Sequence, residues 1–180
     1  MAEAARIHPL AGRRLALPGL SLEPCPPAER LSLRAGEDAL AAIDEALGLA
    51  LPRRPMASAT AGGLAALWLG PDEWLIVADE GAGLAGRLAA LTGIAFSAVD
   101  LSHRNTAISI DGDKAVLALA AGCPRDLSPA AFPVGACSRT VLGKAEIVLA
   151  REAPARFRVE CWRSFADYVW NYLVDAAKSA

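Results

Sequence analysis

Apolar and polar residues alternate along this chain in short blocks, and the period of each block predicts its element. Leu31-Ser-Leu-Arg34 has the two-residue period of a short strand. Leu40, Ile43 and Leu47 recur at helical spacing, and Gly48 after them suits a helix C-cap. Leu64-Ala-Ala-Leu-Trp-Leu69 and Trp74-Leu-Ile-Val-Ala78 flank the turn Gly70-Pro71-Asp72-Glu73, which predicts a β-hairpin. Leu84, Leu88 and Leu91, followed by Gly93, predict a second helix, and 96–101 a strand. The pattern then restarts. Residues 104–110 read as a strand with Ile108 and Ile110 on one face, and Asp111 or Asp113 can cap a helix carrying Val116, Leu117 and Leu119, ended by Gly122. Strands follow at 137–142 and 145–151, and Phe157, Val159 and Cys161 alternate in a third. Ser164 and Asp167 form an S-x-x-D cap for a last helix that buries Phe165, Val169, Trp170 and Leu173.

This order is β-α-β-β-α-β followed by β-α-β-β-β-α. Its hairpins require antiparallel pairing, so the predicted class is α+β, with two split β-α-β pseudo-repeats and helices packed on mainly antiparallel sheets. Residues 1–30 contain Pro9, Pro18, Pro24, Pro26 and Pro27 and show no period, which predicts an extended Pro-rich N-terminal arm. Its Ile7, Leu10, Leu15, Leu17, Leu20 and Leu22 indicate that part of it lies against something. Residues 31–180 are then a single domain.

Composition narrows the function classes. At 180 residues the chain has room for one domain or two very small ones, and it buries roughly 70% of its unfolded surface on the usual size scaling. The formal charge of −2 argues against nucleic acid as a partner, and no apolar run reaches the roughly eighteen residues of a membrane span. Cys25, Cys123, Cys137 and Cys161 form no C-x-x-C pair, and neither His8 nor His103 stands near a cysteine at zinc spacing. With no apolar leader at the N-terminus, a cytoplasmic location with reduced thiols is expected. The hydrophobic fraction, 54%, is high enough to suggest a surface covered by a partner, although alanine contributes much of it.

Candidate chemistry is sparse. Neither G-x-x-x-x-G-K-[ST] nor G-x-S-x-G occurs. Gly81, Gly83 and Gly86 match G-x-G-x-x-G in spacing, but the hairpin before them breaks the β-α-β context that the motif needs, and a plain helix start is the better reading. Asp100-Leu-Ser-His-Arg104 is the most polar cluster. It offers a base in Asp100 or His103, an anion clamp in His103 with Arg104, or simply a tight turn with local side-chain bonds, which is favoured. Aromatic residues gather in the hairpin and the last helix. Tyr168, Trp170 and Tyr172 point to more than one side of that helix, so it is either fully buried or partly covered by another chain. Candidate interface residues are His103, Arg104, Trp162, Arg163, Tyr168 and Tyr172.

Four motifs in order carry a resemblance. They are Val99-Asp-Leu-Ser-His-Arg104 with Asp111-Gly-Asp-Lys-Ala115 and the 117–127 segment; Leu69-Gly-Pro-Asp-Glu-Trp-Leu75; Arg139-Thr-Val-Leu-Gly-Lys-Ala-Glu146; and Cys161-Trp-Arg-Ser-Phe-Ala-Asp-Tyr-Val-Trp170. Over about residues 30–178 the chain resembles the folate-binding aminomethyltransferase (glycine-cleavage T-protein) superfamily, and within it the gamma subunits of heterotetrameric sarcosine oxidases. The resemblance implies a non-catalytic structural subunit with no cofactor of its own. It implies alpha, beta and delta partner subunits that together oxidise sarcosine to glycine and pass the one-carbon unit to tetrahydrofolate. FAD, NAD and the folate domain would belong to alpha, covalent FMN to beta and zinc to delta. Active T-proteins carry an acidic pair where this chain has Glu146-Ile147, so only a single carboxylate remains here. If a folate were nevertheless held, Arg104, Arg139 and Glu146 are the candidate contacts. The equivalent subunit of a related N-methyl amino-acid dehydrogenase is a further alternative.

Overall fold

A computed structural model describes residues 8–180. The expectation that Ile7 and the first residues belong to an extended arm lies outside the described residues. The elements are β1 (Leu15–Leu17), β2 (Leu20–Pro24), β3 (Ala28–Ala35), α1 (Glu37–Leu47), β4 (Ser58–Ala61), β5 (Leu64–Gly70), β6 (Glu73–Asp79), α2 (Leu84–Ala89), β7 (Phe96–Asp100), β8 (Asn105–Asp111), α3 (Ala115–Ala120), β9 (Cys137–Leu142), β10 (Ala145–Ala153), β11 (Arg156–Trp162), a 3-10 turn (Arg163–Phe165) and α4 (Ala166–Ser179). The strands form two sheets, ordered β1-β2-β8-β11-β10-β9 and β4-β5-β6-β3-β7. Every pairing is antiparallel.

Two helices cover the outer face of each sheet. α3 and α4 bury Leu119, Val169, Trp170 and Leu173 against Ile108, Ile110, Ile147 and Phe157 of the six-stranded sheet. α1 and α2 bury Leu40, Ile43, Leu84 and Leu88 against Leu33 and Ile76 of the five-stranded sheet. The inner faces meet through a smaller apolar cluster that includes Leu67, Leu75, Cys137 and Ala150. The class is therefore α+β with antiparallel sheets. One side of the sandwich is closed by backbone bonds, Ser58 N–H to Gly135 O at 2.8 Å and Cys137 N–H to Met56 O at 2.8 Å.

The pseudo-repeat is visible in strand order. Positions β4-β5-β6-β3 in one sheet match β9-β10-β11-β8 in the other, and the next position is filled by β7 in the first and by β2 in the second. In the second half the N-terminal segment supplies this neighbour of β8. Residues 15–24 are thus sheet strands, and the expected boundary at residue 30 falls inside β3. Leu10, Leu20 and Leu22 are buried in the six-stranded sheet's core. The prolines obscured this because β2 ends on Pro24, where the ladder gives way to the Pro26-Pro27 link.

Several local expectations need correction. Neither Asp111 nor Asp113 caps α3, whose N-cap is Lys114 with no side-chain bond; Asp111 instead accepts from Arg156 Nε at 2.8 Å. Of the apolar residues that this helix carries, Leu119 is buried and Leu117 is exposed. Ser164 does not cap α4, because a 3-10 turn intervenes and the N-cap is Phe165, again without a side-chain bond. Phe165, expected in the core, is 40% exposed. Gly48 does end α1 in the left-handed region, at φ 67°.

Candidate functional site

The two sheets part into a cleft at the end where β7 crosses to β8. It is lined by Glu73, Arg104, Arg139, Glu146, Glu160 and Trp162, among others, and has a volume of about 120 Å³. The three residues expected as folate-like contacts, Arg104, Arg139 and Glu146, therefore share one site. Glu146 stands exposed at the cleft, although its strand reads as buried.

Both arginines are already engaged. Arg139 forms a two-pronged pair with Glu73, one nitrogen at 3.3 Å from Oε2 and the other bonded to Oε1, and this bond raises its pKa. Arg34 reaches the same carboxylate at 3.0 Å. The Arg104 guanidinium lies over the Trp162 ring, 4.1 Å from its centroid.

Deeper between the sheets lies a buried ion pair. Arg30 of β3, 2% exposed, donates from Nε to Glu160 Oε2 at 2.7 Å and from a terminal nitrogen to Oε1 at 3.2 Å. Glu160 of β11, 1% exposed, also accepts from Arg158 Nε at 2.7 Å. Three charges thus tie the five-stranded sheet to the six-stranded one.

The Asp100–Arg104 cluster is the connection between sheets and is built as a turn. Ser102 N–H donates to Asp100 Oδ1 at 2.7 Å, and Ser102 Oγ accepts from Arg30 N–H at 2.9 Å. Arg104 N–H and Asn105 N–H both donate to Leu101 O, at 3.0 and 2.9 Å. The glycine run at 81–86 opens α2, as the plain reading expects. Its amides hold Glu29 rather than a phosphate: Gly83 N–H and Leu84 N–H donate to the Glu29 carboxylate at 3.0 and 2.8 Å. Those amides, Gly83 foremost, hold the Glu29 carboxyl below its ordinary pKa.

The cysteines are poor nucleophiles. All four are buried, and burial pushes the Cys137 and Cys161 thiols up to about 12, so both stay protonated at neutral pH. Among the described residues, no three His, Cys, Asp or Glu side chains gather closely enough to hold a metal ion, and no helix is long and apolar enough to cross a membrane.

The six expected interface residues divide into two groups. His103, Arg104, Trp162 and Arg163 line one open depression with Pro9 and Ser164. Tyr168 and Tyr172 lie one helical turn apart on α4, with ring centroids 6.0 Å apart. Both have work within the chain. The Tyr172 hydroxyl donates to Ala121 O at 2.9 Å, and Lys144 N–H donates to the Tyr168 hydroxyl at 3.0 Å. A Cβ on Gly122 would fall 2.4 Å from the Tyr172 hydroxyl, and one on Gly143 would fall 2.5 Å from that of Tyr168. Glycine at 122 and 143 is what lets α4 lie this close.

Sequence reasoning missed Arg30, Glu73 and Glu160. Glu160 occupies the polar phase of the alternating strand Phe157, Val159, Cys161, which normally faces water. Its only signal is that Arg156, Arg158, Glu160 and Trp162 all share that phase, as a face packed against a second sheet can require.

Comparison with known proteins agrees with this picture. Residues 34–179 match the model of the sarcosine oxidase gamma subunit family. The chain is 40% identical over 144 residues to sarcosine oxidase subunit gamma from Arthrobacter sp., covering 79% of this chain and 70% of that protein. It superposes with a TM-score of 0.83 and 32% identity on a chain of the heterotetrameric sarcosine oxidase from Corynebacterium sp. U-96 in complex with pyrrole 2-carboxylate, covering 89% of this chain and 84% of that one. At the level of fold alone, it is also similar to the glycine cleavage system aminomethyltransferase T from Bartonella henselae, with TM-score 0.60, 12% identity, and coverage of 87% of this chain and 45% of that one. The matched span, the identity and the shared fold together place this chain in the sarcosine oxidase gamma subunit family.

Proposed function

We propose that this chain is the gamma subunit of a heterotetrameric, flavin-dependent sarcosine oxidase and serves it as a structural subunit without catalytic residues of its own. The observation that carries this reading is the TM-score of 0.83 over 89% of the chain to a chain of the heterotetrameric sarcosine oxidase from Corynebacterium sp. U-96. The engaged state of the polar groups supports it: the arginines of the cleft are bonded to Glu73 or stacked on Trp162, and the Asp100–Arg104 cluster is spent on a turn. Alpha, beta and delta chains are the partners. FAD, FMN, NAD and tetrahydrofolate act in those partners, and the assembly works in the cytoplasm. Co-expression with the three other chains tests this reading. The chain is expected to co-elute with them on size exclusion at one copy each and to bring no flavin when purified alone. A chain that elutes alone, or that carries stoichiometric flavin, would contradict it.

The convergence of Arg104, Arg139 and Glu146 favours a second reading, a retained folate. The cleft argues against it, because about 120 Å³ is well below the roughly 300 Å³ at which small-molecule sites begin. Titration with a reduced folate to about a millimolar is therefore expected to leave the tryptophan fluorescence unchanged, Trp162 being the reporter at the cleft. Saturable quenching would reverse that conclusion.

A further inference from the structure

We propose that the outer edge of β7 takes up an extended, apolar segment of another subunit of the assembly as a sixth strand of the five-stranded sheet; the proposal rests on the gamma-subunit reading above and names the chemistry of one contact. The internal repeat supplies the template. Strand by strand, β4-β5-β6-β3-β7 matches β9-β10-β11-β8-β2, and the six-stranded sheet then continues into β1. Beyond β7 no described strand takes that place. β1 shows what fits there: three residues running antiparallel to β2, with Leu15 opposite Leu22 and Leu17 opposite Leu20. Leu15 and Leu17 thereby extend the core of the six-stranded sheet past β2.

On the β7 side the core stops one strand earlier. Ala98 lies opposite Leu33 and Phe96 opposite Ala35, so both stand on the face that α1 and α2 cover. Leu91, Ile94 and Phe96 pack against that core but are only half-buried, and Ala98 is exposed. An incoming strand with apolar residues two positions apart, as in Leu15-Ala-Leu17, would cover this margin. On the other face Val99, opposite Ser32, is 53% exposed at the side of the cleft that Ser32 lines.

The main chain is set for pairing. Leu101 N–H donates to Arg30 O at 2.8 Å, directly across the β3–β7 ladder. Alternation along an antiparallel pair then turns the backbone groups of Ser97 and Val99 toward β3 and those of Phe96 and Ala98 outward. Edge strands are ordinarily blunted by shortness, charge, proline or a bulge. β1 has three residues between Arg14 and Pro18, β9 carries Arg139, and β4 is bonded at Ser58 to Gly135. β7 has five residues in unbroken register, and neither charge nor proline occurs from Ile94 to Val99. Strand addition draws its affinity from such backbone groups and its specificity from alternate side chains. The assembly proposed above holds one copy of this chain, so the added strand comes from a different subunit.

The test is hydrogen exchange of the β7 amides in the isolated chain and in the co-expressed complex. In the isolated chain Ser97 and Val99 are expected to exchange slowly and Phe96 and Ala98 fast, and in the complex the Ala98 amide is expected to slow by about tenfold or more. Ala98→Pro removes an N–H that the ladder to β3 does not use, and Val99→Lys puts a charge beside the incoming strand. Each is expected to weaken retention of the chain in the complex by about tenfold or more while keeping the natural urea midpoint. Should Ala98→Pro lower that midpoint, Val99→Lys and the exchange rates decide. An Ala98 amide that exchanges equally fast in the complex, or unchanged retention of both variants, would overturn the proposal while leaving the gamma-subunit reading intact. Protection of Ala98 already present in the isolated chain would also overturn it. Loss of that protection on dilution would make a second copy the occupant, and loss on deletion of residues 2–7 would make it the chain's own N-terminal segment. Failure of the natural chain to join the complex would overturn both readings.

Discussion

Glu160→Ala is expected to lower the stability of the isolated chain by about 3–5 kcal/mol, the range for removing one partner of a buried ion pair. The cost arises from what remains. Arg30 is 2% exposed and, among the described residues, its guanidinium would keep the Ala28 carbonyl, at 3.1 Å, so its charge would be stranded between the sheets. Arg158 would lose its 2.7 Å bond as well and keep only a 4.0 Å approach to Glu152. Urea denaturation followed by tryptophan fluorescence reads the change as a lower midpoint at constant slope. Arg30→Met/Glu160→Leu separates charge stranding from lost packing. Exchanging a buried pair for apolar residues of similar volume is often neutral, so the double variant is expected to recover most of the loss. If the double variant is as unstable as the single one, packing rather than charge would be the cause.

Leu22→Ala is expected to cost about 2–5 kcal/mol, as for other fully buried leucines. Leu22 is completely buried and stands opposite Ile110 in the β2–β8 pairing. If the N-terminal segment were an arm resting on a finished domain, the same change would cost little. The close fit of Gly112 against this segment points the same way: a Cβ there would come 2.3 Å from Gly19 O, at a φ of 126°. A Leu22→Ala midpoint within experimental error of the natural chain would show that β2 contributes nothing to the core.

The elements from 31 onward were legible because their periods are clean. α1 ends at the glycine that its pattern predicts, and the 64–78 hairpin forms with Pro71-Asp72 as its turn. β4 escaped because Ser58-Ala-Thr-Ala61 carries no large apolar residue and lies at a sheet edge, half exposed. The role of β2 escaped for a different reason. Its neighbour β8 lies more than eighty residues away in the chain, and nothing in Leu20-Ser-Leu-Glu-Pro24 states which strand it will meet. Caps at α3 and α4 were misread since aspartate and serine in the right places found other partners or none, as Asp111 shows with Arg156.

The candidate site was legible in part. Arg104, Arg139 and Glu146 were named from motifs and do meet at one cleft, and four of the six interface candidates line one depression. What no linear pattern showed is that both arginines have partners of their own. Glu73 reads as the end of a turn, and only the packing of two sheets brings it to Arg139. The same packing turns the polar phase of β11 inward and makes Glu160 a structural residue. Long-range pairing of this kind leaves no local trace.

The central claim is that the chain acts by completing an assembly. It is tested most directly by measuring the mass and the sarcosine oxidase activity of the co-expressed complex, prepared with and without this chain. A mass lower by more than one subunit, or activity that falls with the chain's omission and returns on adding it back, is the predicted result. A complex of the other three chains with full activity and unchanged stability would contradict it.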